Sequence, residues 1–262
     1  MKVVLFCGGQ GTRLREYSDS VPKPMVPVGY RPILWHVMKY YAHYGHKDFI
    51  LALGYKADVI KDFFLNYNEA VSNDFVLSEG GKHIELANSD IDDWTITFVD
   101  TGATSNIGER LRRVRSHLEG EEMFMANYSD GVADIPLDDY IEEFKRRDKI
   151  ASFVAVPPPG SYHVISLGAD DEVTGLRPID ETGAWINGGY FIFKNEIFDY
   201  MRPGEELVYE PFGRLIDEGQ LAAYRYTGFW APMDTFKDQQ RLDELNRTGE
   251  APWQVWNRDD ES

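Results

Sequence analysis

Three glycines within four positions, Gly8, Gly9 and Gly11, follow at once on the apolar run Val3–Cys7, and Thr12, Arg13, Arg15 and Lys23 share the stretch after them. Glycine runs are conformationally costly, so a bare backbone here needs a reason. A glycine-rich turn leaving a strand exposes backbone N–H groups that can cradle a phosphate chain, and nearby cations neutralise it. The run G-G-Q-G-T-R is not the dinucleotide fingerprint G-x-G-x-x-G, and no Gly-Lys-Ser/Thr follows as in a Walker loop. Residues 1–31 carry Lys2, Arg13, Arg15, Lys23 and Arg31 against Glu16 and Asp19, a local excess of +3 in a chain whose formal net charge is −17. A cationic pocket in an anionic protein fits a small, highly charged anion. The same net charge argues against a nucleic-acid or anionic-membrane surface.

A carboxylate supplies the second chemical feature. Asp130 ends the apolar segment MFMANYSDG, and in a parallel sheet the carboxyl ends of the strands line the ligand crevice. Asp234 stands in PMDT after the aromatic stretch GFW, and two such carboxylates facing one crevice would suit a divalent cation. Spacing alone does not pair them. Asp134, Asp138 and Asp139 read as turn and helix-start residues.

The elements that would position these groups alternate. Strands are expected over Val3–Cys7, Phe49–Leu53, Thr95–Val99, Met123–Tyr128 and Ile150–Val156. Helices are expected over 32–44, 56–67, 108–118 and 137–147. This order predicts an α/β fold: a doubly wound, mostly parallel, Rossmann-like sheet covered on both faces. Residues 68–94 break the rhythm as a lid, a hairpin or a long insertion. Beyond Pro157 come strand-like pieces over 164–167, 185–193 and 221–226, with a helix over 211–218, so an antiparallel-rich half is expected. One domain is expected over 1–262, with a parallel half (1–156), an antiparallel-rich half (157–250) and a tail (251–262) whose acidic end, 258–262, frays.

No apolar run approaches the roughly 20 residues of a membrane-spanning helix, and the N-terminal run breaks too early for a secretory signal. A cytoplasmic protein with no membrane partner is expected. Cys7 is the only cysteine, reads as a buried apolar residue, and receives no chemistry.

GGQGTRL with PKPMVPVG closely resembles the signature of the sugar-phosphate nucleotidyltransferases. RPILWHVMKYY, GYKADVIKDFF, VDTGATSNIGERLRRV, YSDGVAD, INGGYFIF, GFWAPMDT and GEAPWQVW line up in order with the glucose-1-phosphate cytidylyltransferase branch. The resemblance implies that a sugar 1-phosphate oxygen attacks the α-phosphorus of a nucleoside triphosphate and releases pyrophosphate. It implies CTP and glucose 1-phosphate as substrates, Mg²⁺ as cofactor, a nucleotide-binding half over 1–156 and a sugar-phosphate-binding half over 157–250. Arg13 and Lys23 are then catalytic, at the leaving pyrophosphate and the α-phosphate, and Asp130 and Asp234 hold the metal. Gly8, Gly9, Gly11, Thr12, Ser105, Arg110 and Ser129 fall at nucleotide-contacting positions, and Asn187 and Gly188 at the sugar-contacting turn. Trp35, Trp185 and Trp230 are available for stacking, with core packing expected for at least two of them.

The acceptor side departs from that pattern. The branch carries Glu-Lys-Pro before its Asn-Gly-Gly turn, where this chain reads Leu176-Arg177-Pro178, so Arg177 replaces the lysine that grips the sugar phosphate and the glutamate is lost. Tyr162-His163 stands where the branch has Phe-Gly. A different nucleotide, a modified hexose or heptose 1-phosphate, a non-catalytic binding regulator and a homo-oligomeric assembly stay open at this point.

Overall fold

Val3–Phe6 is apolar at every position because both of its faces are covered, as is usual for a central parallel strand. The computed structural model describes residues 1–9, 21–159 and 162–257. This segment, β1, is the third strand from one edge of a seven-stranded sheet. The others are β2 (Asp48–Leu53), β3 (Thr95–Asp100), β4 (Met123–Asn127), β5 (Ala151–Val156), β6 (Ile186–Lys194) and β7 (Leu221–Arg225). Their spatial order is β7-β5-β6-β4-β1-β2-β3. All pairings are parallel except those of β6, which runs against both of its neighbours. The antiparallel character expected after Pro157 is therefore confined, within this sheet, to one strand, and β7 runs parallel to β5.

Alternate residues of β1 serve different cores. Val3 and Leu5 join α1 (Ile33–His43), α2 (Ala57–Leu65), α4 (Leu137–Arg147) and α6 (Phe236–Thr248) on one face. Val4 and Phe6 join α3 (Ile107–Arg113) and α5 (Glu210–Asp217) on the other. The chain moves outward from β1 through β2 to β3, then returns past β1 to form β4. The helix faces change at that jump: α1 and α2 cover one side and α3 the other. The carboxyl ends of β1 and β4 thus flank a topological switch point, where such sheets open a crevice.

Several boundaries move. The helix expected over 108–118 ends at Arg113, and a separate 3₁₀ turn follows over Arg115–Leu118. Helix α6 escapes the sequence reading although Thr235 and Asp238 form a reciprocal capping box at its start. The 68–94 insertion contains an exposed hairpin, Phe75–Ser78 with His83–Leu86. Arg31 anchors its base: only 4% exposed, it donates to Ser72 Oγ, Asn68 O and Asp90 and lies on the Tyr67 ring. Arg31 is therefore committed to the base of the hairpin, and the Lys2 ammonium donates to His117 O.

The segment after α6 is fastened by one imidazole. His36 Nε2 donates to Val28 O at 2.9 Å, and Nδ1 accepts the indole N–H of Trp253 at 3.2 Å. This arrangement requires the neutral ring, since a proton on Nδ1 would face another N–H. Burial pulls the His36 pKa down to about 4. His46, half-buried against the N-terminal ammonium, also falls to about 4, chiefly through burial. Both folded values lie below the ordinary 6.5, so the unfolded chain binds more protons between those limits. Stability is expected to fall as pH drops from 6.5 toward 4, read as a declining urea midpoint, and His36→Gln should flatten that decline.

Candidate active site

The floor of the crevice depends on how the chain turns after β4. Ser129 adopts φ +62°, and its fully buried hydroxyl donates to Phe6 O at 2.8 Å, tying the turn to the end of β1. Asn127 Oδ1 accepts the Ser129 N–H at 2.7 Å. Ser129 is thus committed to the scaffold rather than directed at a nucleotide. The chain then forms a two-stranded ladder, Gly131–Ala133 against Trp230–Pro232, with Gly131 opposite Pro232. Met233 N donates to Asp130 O at 2.9 Å. The ladder brings together two carboxylates that are more than a hundred residues apart in sequence.

Lys23 closes the arrangement from β1's side of the crevice. It opens a 3₁₀ turn over Lys23–Met25, and its Nζ lies 2.7 Å from Asp130 Oδ2 and 2.7 Å from Asp234 Oδ1. The lysine side chain is 11% exposed, against 31% and 33% for the two aspartates. Burial alone would lower the Lys23 pKa, but Asp130 and Asp234 outweigh it and hold the ammonium above its ordinary range. The lysine stays charged at any working pH.

Two cavities meet at Asp130. One, of about 180 Å³, is lined by Phe6, Gly9, Lys23, Ile107, Tyr128 and Asp130. The other, of about 220 Å³, lies against Tyr128, Asp130, Asn187, Gly188, Trp230 and Asp234. Asn187 Oδ1 accepts the Gly189 N–H at 2.9 Å and its Nδ2 donates to Tyr128 OH at 3.3 Å, so Asn187 shapes the wall it lines. The Trp230 indole donates to Gly188 O at 2.8 Å and leaves its ring at the second cavity. Tyr128 borders both spaces and was not singled out from sequence. Its only signal there is an aromatic residue two places before a strand-end aspartate.

Other expected site residues lie elsewhere. Arg110 is 2% exposed, with Nη1 donating to Leu53 O, Thr101 Oγ1 and Gly102 O and Nη2 donating to Gly8 O at 2.8 Å. It pins the ends of β1, β2 and β3 together instead of facing the crevice. Gly8 is a glycine for this reason, since a Cβ there would fall 1.9 Å from Arg110 Nη1. Gly9, by contrast, is exposed at the first cavity with no described atom within 4 Å of a Cβ. The Ser105 hydroxyl donates to Thr101 O in the same buttress.

Arg177 sits on an exposed hairpin, His163–Leu167 with Val173–Pro178, opposite Val164, and lines neither cavity. Of the tryptophans besides Trp230, Trp35 packs in the core against His36 and Trp256. Trp185 is exposed beneath the Arg225 guanidinium, so with Trp230 at the second cavity only Trp35 of the three takes the core position expected for at least two. Cys7 is buried, its thiol pushed up to about 12 mainly by burial, which leaves it unreactive. Gly11, Thr12 and Arg13 lie outside the described residues, as does the 258–262 end.

A lysine and two aspartates gathered beside Gly9 at the switch point of a doubly wound sheet are the equipment of a phosphoryl-handling transferase. Residues 2–238 match the family described as Nucleotidyl transferase, and the chain belongs to it. It is 38% identical over 257 residues to the glucose-1-phosphate cytidylyltransferase of Salmonella typhimurium, covering 98% of this chain and all of that one. It is 27% identical over 247 residues to the mannose-1-phosphate guanyltransferase of Saccharomyces cerevisiae, covering 91% of this chain and 62% of that one. Among solved structures, the UTP-bound UGPase from Acinetobacter baumannii shares the fold with a TM-score of 0.71 over 98% of this chain and 97% of that one, at 17% identity.

The two glycines separate scaffold from site. Gly8→Ala is expected to displace the Arg110 guanidinium and to cost about 1–3 kcal/mol of stability, as overpacking does. Gly9→Ala should leave the melting temperature nearly unchanged. Differential scanning calorimetry of both variants checks this.

Proposed function

We propose that the protein transfers the nucleotidyl group of a nucleoside triphosphate to a sugar 1-phosphate, with CTP and glucose 1-phosphate as the substrates. The observation that carries this reading is Asp130, shared by two adjoining cavities and held with Asp234 around the Lys23 ammonium. Two substrates that must meet at one phosphorus need two spaces with a common wall. The 38% identity along a whole glucose-1-phosphate cytidylyltransferase supports this choice of base and sugar.

In the reaction, a phosphate oxygen of the sugar 1-phosphate forms the new bond to the α-phosphorus while the bond to the β-phosphate oxygen breaks and pyrophosphate departs. The attacking oxygen is already anionic, so the protein needs no general base. Its task is to bring anions together and neutralise charge in line. Lys23 supplies a fixed positive charge beside the first cavity, and the Gly9 backbone allows close approach there. Trp230 and Asn187 shape the acceptor space.

Asp130 and Asp234 fit a Mg²⁺ ion. Their oxygens converge on one point, they are the hard donors this ion takes, and both are partly open to solvent. Among the described residues no third His, Cys, Asp or Glu joins them, so phosphate oxygens and water would complete the sphere. When bound, the ion would screen the triphosphate and polarise its α-phosphorus.

Pyrophosphate release measured for four nucleoside triphosphates against several sugar 1-phosphates tests the assignment. CTP with glucose 1-phosphate should lead, and absence of release from every pair would sink the reading. Lys23→Ala should lower kcat at least tens-fold, roughly 2–4 kcal/mol of lost electrostatic stabilisation. Asp130→Asn and Asp234→Asn should be strongly non-additive, the double variant losing little beyond either single one. Full additivity would mean that the two carboxylates act separately. Arg177→Ala should leave both KM values within about twofold, in line with the small effect of substitutions away from packed or binding features.

A further inference from the structure

We propose that Lys23 fills the divalent-metal seat of the unliganded enzyme as an internal cation, and that it gives up this seat only when a triphosphate offers its ammonium other anions. The inference rests on the reading of Asp130 and Asp234 as the metal seat, and adds to it a competition between a residue of the chain and the ion.

The geometry supports competition rather than coexistence. A single nitrogen lies 2.7 Å from one oxygen of each aspartate, so it stands in the space between the two carboxylates that a shared ion would need. Magnesium–oxygen bonds are about 2.0–2.1 Å, and an ion that close to both oxygens cannot share the gap with the ammonium. The backbone that carries the two carboxylates is held in place. Asp130 follows the Ser129 turn that is tied to Phe6 O, and its own carbonyl accepts from Met233 N. The backbone N–H of Asp234 is held by the Asp238 carboxylate at the start of α6. The lysine, on a flexible four-carbon stem, is the mobile partner.

Charge favours the same conclusion. Withdrawing the Lys23 ammonium leaves the two carboxylates with one positive charge fewer beside them. A divalent ion alone therefore meets a weakened and sterically occupied site. A triphosphate in the adjoining cavity, which Lys23 also lines, provides the ammonium with phosphate oxygens and brings the ion its remaining ligands. Loading of ion and nucleotide is then positively coupled, and by linkage each must tighten the other by the same factor.

Mn²⁺ serves as the probe, followed by the paramagnetic signal of the protein-bound ion in the full-length chain. Mn²⁺ alone should bind Lys23→Met at least about tenfold more tightly than the wild type, as expected when a neighbouring cation is removed. Lys23→Arg should stay weak, and adding Asp130→Asn to Lys23→Met should abolish the gain. Equal or tighter binding by the wild type overturns the proposal while leaving the seat itself intact. Failure of the wild type to show any protein-bound Mn²⁺ with CTP present, without sugar phosphate, removes the seat reading and the proposal with it. A second measurement needs no variant. Mn²⁺ alone should leave the wild-type melting temperature unchanged, whereas Mn²⁺ with CTP should raise it beyond the sum of their separate effects. Strict additivity of those two shifts overturns the coupling.

Discussion

Two carboxylates held side by side repel each other, and the architecture of this crevice follows from fixing them there and supplying a cation to face them. The sheet provides the place, because the reversal of strand order between β1 and β4 leaves a gap that the covering helices do not close. The small ladder at 131–133 and 230–232 provides the separation, set by backbone hydrogen bonds that do not depend on side-chain charge. Lys23 provides the compensation from the opposite wall. Without the ladder the charges would drift apart into solvent. Without the lysine or a metal they would strain the ladder.

Two buried polar groups stabilise the surroundings in opposite protonation states. Arg110 remains a cation under the Gly8 loop because backbone carbonyls, each already carrying a partial negative charge, surround its guanidinium. His36 remains neutral because one ring nitrogen must donate and the other must accept. Burial disfavours the charged form of both groups; the carbonyls around the guanidinium compensate for it, whereas the donor and acceptor around His36 suit the neutral ring.

Much of the fold was legible because its signals are local. The apolar runs of β1, β2 and β4, and the amphipathic segments that became α1 and α4, carry their own periodicity. Helix α6 was missed because its polar exterior gives a faint apolar stripe, although its capping box was present in the residues. Lys23 and Asp130 carried local signals in the cationic glycine-rich stretch and the strand end, but the pairing of Asp130 with Asp234 was legible only through resemblance, since the ladder joining them leaves no mark in sequence spacing. The partners of Arg110 and Arg31 were hidden for a related reason. A sequence shows that a residue is cationic, but whether carbonyls, a carboxylate or a substrate receive that charge is decided in large part by neighbours distant in the chain.

The ladder also sets an order of assembly. A chain emerging from the ribosome contains Lys23 and Asp130 long before Trp230–Asp234 exist, so the early molecule has a lysine, one aspartate and an unpaired strand whose Val132 and Ala133 are meant for the core. Pairing of distant segments is slow and comes late. The carboxylate pair is therefore among the last features of the molecule to take shape, and a half-made chain carries only the first of its two aspartates.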